Sequence, residues 1–321
     1  GDKIIIEPRA CNLRTGEIIT RRHPVTDEPV PWEFLRPGHS CGITSASADT
    51  LFYRSYCGAI YEMNEDKGID LFGAIRVGCW LDVIAANGLM LMPEASSGCT
   101  CSYPLRCSVA LVNKPEKTMG NWSVFISGGD MTPVKHLAVN LGAPGDMRDE
   151  RGVLWLGYPR IRKTYSVYNA NPKYGIRFDL QEKLASEGGF FCKDYKGVKI
   201  DGTDKPWLFT SGCRGLLRCE LPLIDEKSGQ KPAVYTVRLG FTALPGDRPG
   251  RRVFDIMLQG NVVLSNFDIM RTAQRTDRVV IREFTAVVVN NALVLEMVPK
   301  TKNPTVDEVP IINFIEVVRE N

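Results

Sequence analysis

The chain has 321 residues, enough for two domains, with 44% hydrophobic and 24% charged residues, as in an ordinary soluble globular protein. Its net charge of +3 points to neither nucleic acid nor an acidic membrane surface as partner. No run of about 18 apolar residues occurs, so no membrane span is predicted.

The chain opens on a strand-like run, Ile4-Ile5-Ile6, with no visible signal peptide, so Gly1 reads as a processed or engineered start. Short apolar runs alternating with period two and broken by glycine, proline and Asn-Gly turns predict an almost entirely β protein. The one helix the spacing predicts lies over Leu180 to Glu187.

Residues 40–95 carry an internal repeat with an offset of 38 residues. Cys41 falls on Cys79, Ile43 on Leu81, Asp49-Thr50 on Asn87-Gly88 and Leu51 on Leu89. Each unit reads as strand, tight turn, strand. A period near 40 with about four strands is the spacing of propeller blades, small sheets that bury their faces against neighbours. Asn12-Leu13-Arg14-Thr15-Gly16-Glu17 ends a strand pair and is similar to the blade-closing turn of quinoprotein-type (PQQ-like) propellers. The stretch from Arg76-Val77-Gly78-Cys79-Trp80 to Pro93 and on through Cys99-Thr100-Cys101-Ser102-Tyr103 resembles the closing blades of such propellers in large bacterial envelope proteins. The resemblance implies a partial propeller of two to three blades over residues 1–115. The remaining blades are then expected on another chain or outside this one. Residues 116–130 read as a linker.

From residue 131 a second domain is expected. His136 to Asp146, then Asp149, Gly152, Trp155 and Tyr158-Pro159, resembles the first strand and loop of malectin-like domains. Tyr235 to Phe241 alternates cleanly, placing Tyr235, Val237, Leu239 and Phe241 on one face. Gly250-Arg251-Arg252-Val253-Phe254-Asp255-Ile256, Leu258-Gln259-Gly260 and Phe267-Asp268-Ile269 then follow in the order of the malectin family pattern. Strands at Val279–Phe284, Ala292–Val298 and Ile311–Val318 complete it. The resemblance implies a malectin-like β-sandwich of jelly-roll type over residues 131–321, with an insertion at about 160–232.

Ten cysteines suggest an oxidising compartment, periplasmic or extracellular, against the alternative of small buried hydrophobes. Cys41, Cys79, Cys99, Cys101, Cys107, Cys192, Cys213 and Cys219 are the disulfide candidates, their connectivity open. Cys99 and Cys101, two apart on a strand, face the same way and suit bonds to separate neighbours.

No catalytic motif is present: no nucleophile elbow, P-loop, dinucleotide fingerprint, zinc-protease or haem motif. Three histidines make a His-rich metal site unexpected, and no cofactor is assigned. Two alternatives stay open: a metal or redox site at Cys99, Cys101, Cys107 and His39, and a quinone (PQQ) near His39 and Trp80. Arg248 to Arg252 reads as solvated loop charge, and Asp255 and Asp268 as acceptors for turn N–H groups. If the malectin resemblance carries its ligand, glycan is bound by loop aromatics and acids at one end of the sandwich. The candidates are Asp146, Trp155, Tyr158 and Asp307, and such a site needs an exposed aromatic shelf near Trp155 and Tyr158. The loop Thr242 to Pro249 holds no aromatic. The expected function is a non-catalytic extracytoplasmic binding and scaffold protein, possible partners being glycan and the missing blades. A structural subunit of a surface assembly, or the C-terminal part of a quinone-dependent or carbohydrate-active enzyme, are the competing readings.

Overall fold

In a computed structural model, residues 2–36, 40–55, 57–72, 77–94, 107–112, 122–160, 176, 178, 180–194 and 198–320 are described. They group into two units. One is built mainly from Gly1–Arg21 and Val30–Gly128, the other from Arg22–Pro29, Gly129–Arg160 and Arg177–Asn321.

In the N-terminal unit, Ser45–Ala46, Thr50–Ser55, Cys57–Glu62 and Ile69–Phe72 form an antiparallel meander, with Ser123–Val124 added along the last strand. A second meander joins Ile84–Ala86, Leu89–Met92 and Val109–Val112. The 38-residue offset maps Thr50–Ser55 onto Leu89–Met92. The turns that precede these strands differ. Asn87 and Gly88 both have positive φ, as a two-residue hairpin turn requires, whereas the first unit uses the longer Ser47–Thr50 connection. The difference of two residues preserves which side chains face inward.

One face of the first meander closes on a cluster of Trp32, Phe34, Tyr53, Tyr61 and Ile69. Phe34 meets Tyr53 edge-on with ring centroids 4.9 Å apart. The other face gives Phe52, Ile60 and Phe72 to a cluster of Met90 and Met92 from the second meander with Val77 and Val83 from the segment before it. A Cβ at Gly58 would strike the Met92 sulfur, so the two sheets approach closely there because residue 58 is glycine. The sheets are blade-like, and among the described residues they do not close into a propeller. His39, Cys99, Cys101 and residues 116–121 of the expected linker lie outside the described residues.

The C-terminal unit has two six-stranded sheets. One runs Met147–Arg148, Leu154–Tyr158, His136–Leu141, Phe314–Arg319, Ala233–Phe241, Val280–Val289. The other runs Gln181–Cys192, Ser211–Pro222, Ala292–Pro299, Val253–Leu258, Asn261–Asp268, with Ile311–Ile312 paired onto Ser211–Pro222. Tyr235, Val237, Leu239 and Phe241 are fully buried, as their alternation predicts, and so are Phe254, Ile256, Leu293, Leu295 and Val317. Each large apolar side chain contributes about 2 kcal/mol by leaving water. Phe241, Phe254 and Phe267 form a ring cluster with centroid spacings of 5.0–6.3 Å.

Two expectations are corrected. The predicted helix over Leu180 to Glu187 is the first part of the Gln181–Cys192 strand. Gln181, Glu182, Lys183, Ser186 and Glu187 are exposed on a strand at the sheet edge, where backbone pairing with Ser211–Pro222 overrides local preference. Register shifts occur around Leu184 and Gly189. Gln181–Cys192 and Ser211–Pro222, within the expected insertion at about 160–232, are two strands of the second sheet. No disulfide occurs among the described residues. Cys213 and Cys219 are buried thiols on Ser211–Pro222, both pushed up to about 12 chiefly by burial, and behave there as small core residues. Cys11, Cys57, Cys107 and Cys192 are free thiols as well.

Candidate functional site

Strand register defines one end of the first sheet. Leu141 pairs with Tyr158, and Phe314 lies opposite both Asn140 and Gly240. The loops after Leu141, Tyr158 and Phe241, and the loop that leads into Phe314, therefore leave from this end. A buried polar cluster stitches their bases. Ser211 Oγ donates to Asn140 Oδ1 at 3.0 Å, Thr242 Oγ1 donates to Asn313 Oδ1 at 3.1 Å, and Asn313 Nδ2 donates to the Ser211 carbonyl at 2.6 Å. All four residues are buried, so the cluster fixes one arrangement of these strands.

Asp146 sits in the loop after Leu141. It is buried, accepts the Gly157 N–H at 2.9 Å and takes Arg160 through both oxygens at 2.5 and 3.1 Å. A Cβ at Gly157 would run into the Gly145 carbonyl, so glycine is what lets this loop lie against the strand.

Trp155 and Tyr158 are each only 2% exposed. The Trp155 ring lies edge-on to Phe314 and Trp207, with Lys205 Nζ 5.6 Å from its centroid, and its Nε1–H donates to Asp149 Oδ2 at 3.1 Å. Tyr158 Oη lies 3.0 Å from the Leu180 carbonyl and 2.7 Å from Glu182 Oε2, and its ring packs near Phe178 and Phe190. Neither ring turns a face to solvent. Trp155 and Tyr158 therefore form no exposed shelf; both rings are core side chains whose polar tips found partners.

Asp307 is placed differently. It is half exposed and pairs with Arg251 at 2.8 Å. The two loops carrying this pair are locked by the next residue, Arg252, which is buried. Its Nε and Nη2 bind Asp247 at 3.2 and 2.9 Å, and its Nη1 donates to the carbonyls of Val309 and Val306. The expectation of solvated charge at Arg248 to Arg252 thus fails for Arg252. The signal was present: two residues before buried Phe254, position 252 falls on the inward face of the strand pattern. Asn140 and Asn313 were also missed, because their partners lie far along the chain, and Asp247 and Arg160 because no sequence pattern marks their pairing with nearby Arg252 and Asp146.

Asp149 accepts the N–H groups of Arg151 and Val153 at 3.0 and 2.9 Å and pairs with Lys205 at 2.5 Å. Burial raises its pKa, but Lys205, Trp155 and Val153 outweigh that and hold it below the usual carboxylate range. Asp268 accepts from Gly250 N–H at 2.6 Å and caps the Ile269–Ala273 helix through Arg271 N–H. Asp255 accepts from Asn266 N–H at 2.8 Å and from Lys300 at 2.6 Å. These acids anchor turns. Among the described residues no group of three His, Cys, Asp or Glu side chains is placed to hold a metal ion.

The malectin domain family model matches residues 167–314, which span both the Arg251 and the Asp307 loops. The chain is also similar to the extracellular domain of ANXUR2 from Arabidopsis thaliana, at 17% identity over 58% of this chain and 41% of that one, with a TM-score of 0.39. It is similar to the plant receptor-like kinase FER at 15% identity, over 58% of this chain and 42% of that one, with a TM-score of 0.37. A Bacteroides uniformis beta-glucuronidase matches at 16% identity over 58% of this chain and 18% of that one, with a TM-score of 0.39. The chain thus covers less than half the length of each of these proteins. No curated protein sequence matches it.

Proposed function

We propose that this chain is a non-catalytic binding and scaffold protein acting in the periplasm or outside the cell, and that its sandwich binds a glycan at the loop end. The carrying observation is the half-exposed Arg251–Asp307 pair, mounted on loops that buried Arg252 locks together. A sugar presents adjacent hydroxyls that both donate and accept. A fixed guanidinium beside a fixed carboxylate answers that pattern, and little ordering is needed on binding. The malectin match over both loops supports the same reading. The test is a glycan array probed with the full chain, followed by titration of the best ligand against Arg251→Ala and Asp307→Ala. Loss of at least about tenfold in affinity for each is expected, as for a charge-assisted hydrogen bond. An array without a binder, or variants that bind like the native chain, would sink the reading.

A second reading, assembly, is favoured by one observation in the N-terminal unit. Trp80 is 72% exposed and held at φ 63°, and the repeat-related positions Ile43 and Leu81 are 65% and 47% exposed. A non-glycine residue at positive φ costs on the order of 1 kcal/mol, and an exposed indole adds no packing in return. In this reading the two blade-like sheets belong to a larger PQQ-like propeller, whose further blades or subunits cover these side chains. Light scattering should then show association of the native chain that Trp80→Ser with Leu81→Ser abolishes; a monomer at all concentrations speaks against it.

A further inference from the structure

At the end of the first sheet away from the loop end, a cavity of about 250 Å³ is lined by Pro24, His136, Arg148, Arg151, Val153 and Leu154 among others. Among the described residues its lining contains no carboxylate. The cavity floor is built before any ligand arrives. The turn from Asp149 to Val153 is closed by backbone hydrogen bonds at both ends and by the Asp149 carboxylate accepting the N–H groups of Arg151 and Val153. Gly152, at φ 83°, supplies the left-handed residue that this turn needs. Arg148 Nη1 donates to the Gly152 carbonyl at 2.7 Å, which fixes that guanidinium along the wall.

The nearby acids are committed elsewhere. Asp149 is held by Lys205 and Trp155 Nε1, and Glu316 accepts from His136 Nε2 at 2.9 Å and from Arg238 at 3.4 Å. Glu150 is exposed beside the turn and outside the lining. The Arg151 guanidinium makes no hydrogen bond or ion pair among the described residues, although its backbone is fixed by the turn.

We propose that this cavity is an anion site, in which Arg151 and Arg148 receive a small oxyanion carried as an end group on a larger molecule. Guanidinium groups match carboxylate, sulfate and phosphate geometry with paired N–H donors. Pockets for whole small molecules span about 300–1,000 Å³, so a space of about 250 Å³ suits one terminal group better than an extended ligand. Pro24, Val153 and Leu154 supply the apolar part of the lining beside the two guanidinium groups.

The test uses the full chain at constant ionic strength, titrated with sodium sulfate, sodium phosphate and sodium glucuronate by calorimetry. Saturable binding of at least one anion is expected. Preference for sulfate or phosphate assigns the site to an ester-borne anion, and preference for glucuronate to a carboxylate. Arg151→Gln should weaken that binding about tenfold or more, and Arg151→Glu should abolish it. Because this side chain is exposed, both variants should unfold at nearly the native temperature without anion, which separates loss of the site from loss of the fold. No saturation by any of the three anions, or native affinity in Arg151→Gln, overturns the proposal.

Discussion

Asp82 Oδ1 accepts the backbone N–H of Ile43 at 2.8 Å, tying the start of one 38-residue repeat to the start of the next. Ser45 Oγ adds a second tie to the Val83 carbonyl, and Arg54 Nη1 lies 2.7 Å from Cys79 Sγ. The repeat units therefore touch through residues near their own beginnings, as neighbouring blades do. Asp82→Ala removes the only acceptor in the Asp82–Ile43 bond. Amide exchange at Ile43 should quicken about five- to tenfold, in line with a hydrogen bond worth about 1 kcal/mol. Unchanged exchange would show that the tie does not persist in solution.

Asn313 holds the loop end from inside. It gives Nδ2–H to the Ser211 carbonyl and receives the Thr242 hydroxyl. Asn313→Ala leaves a buried carbonyl and a buried hydroxyl short of partners, at about 1–3 kcal/mol each. Urea unfolding of the C-terminal unit should show a loss of about 2–4 kcal/mol, and a loss below 1 kcal/mol would mean that water replaces the side chain.

The Asp247–Arg252 pair makes a sharper prediction. Asp247→Ala strands a buried guanidinium and should cost about 3–5 kcal/mol, whereas the double change Asp247→Leu with Arg252→Met removes both charges and should cost markedly less. Equal losses in the single and double variants would mean that the Arg252 bonds to the Val306 and Val309 carbonyls carry the stability instead.

Asp70 gives the N-terminal unit a pH dependence. Burial pushes its carboxyl up to about 6; Lys67 pulls it down, and Glu62 and Glu65 add to the rise. The folded value exceeds the unfolded one near 4, so folding favours the protonated form. The contribution of this group is then fully present below about pH 4 and lost as the pH rises through about 6. Asp70→Asn stays neutral throughout. It should be more stable than the native chain by about 1–3 kcal/mol at pH 7.5, with the gap closing toward pH 4. A gap independent of pH would assign the effect to packing.

Much of the fold was legible because it rests on period-two alternation. Tyr235 to Phe241 buries the four side chains its pattern marks, and the 38-residue repeat finds the paired hairpins. The helix reading over Leu180 to Glu187 failed because a sheet-edge strand with no buried side chain carries helix-favouring residues without contradiction. The site was legible only in part. A glycan site built on Trp155 and Tyr158 needs them exposed, but their burial is set by Phe314, Trp207, Phe178 and Phe190, all outside their own strand. Asp307 was found, yet its partner Arg251 and the clasp of Arg252 depend on two loops about 50 residues apart.

The most direct test of the central claim is hydrogen exchange on the full chain with and without its best glycan-array ligand. Protection concentrated in residues 242–252 and 300–313 is the predicted result. Protection confined to other parts of the chain, or no glycan that protects any segment, would contradict it.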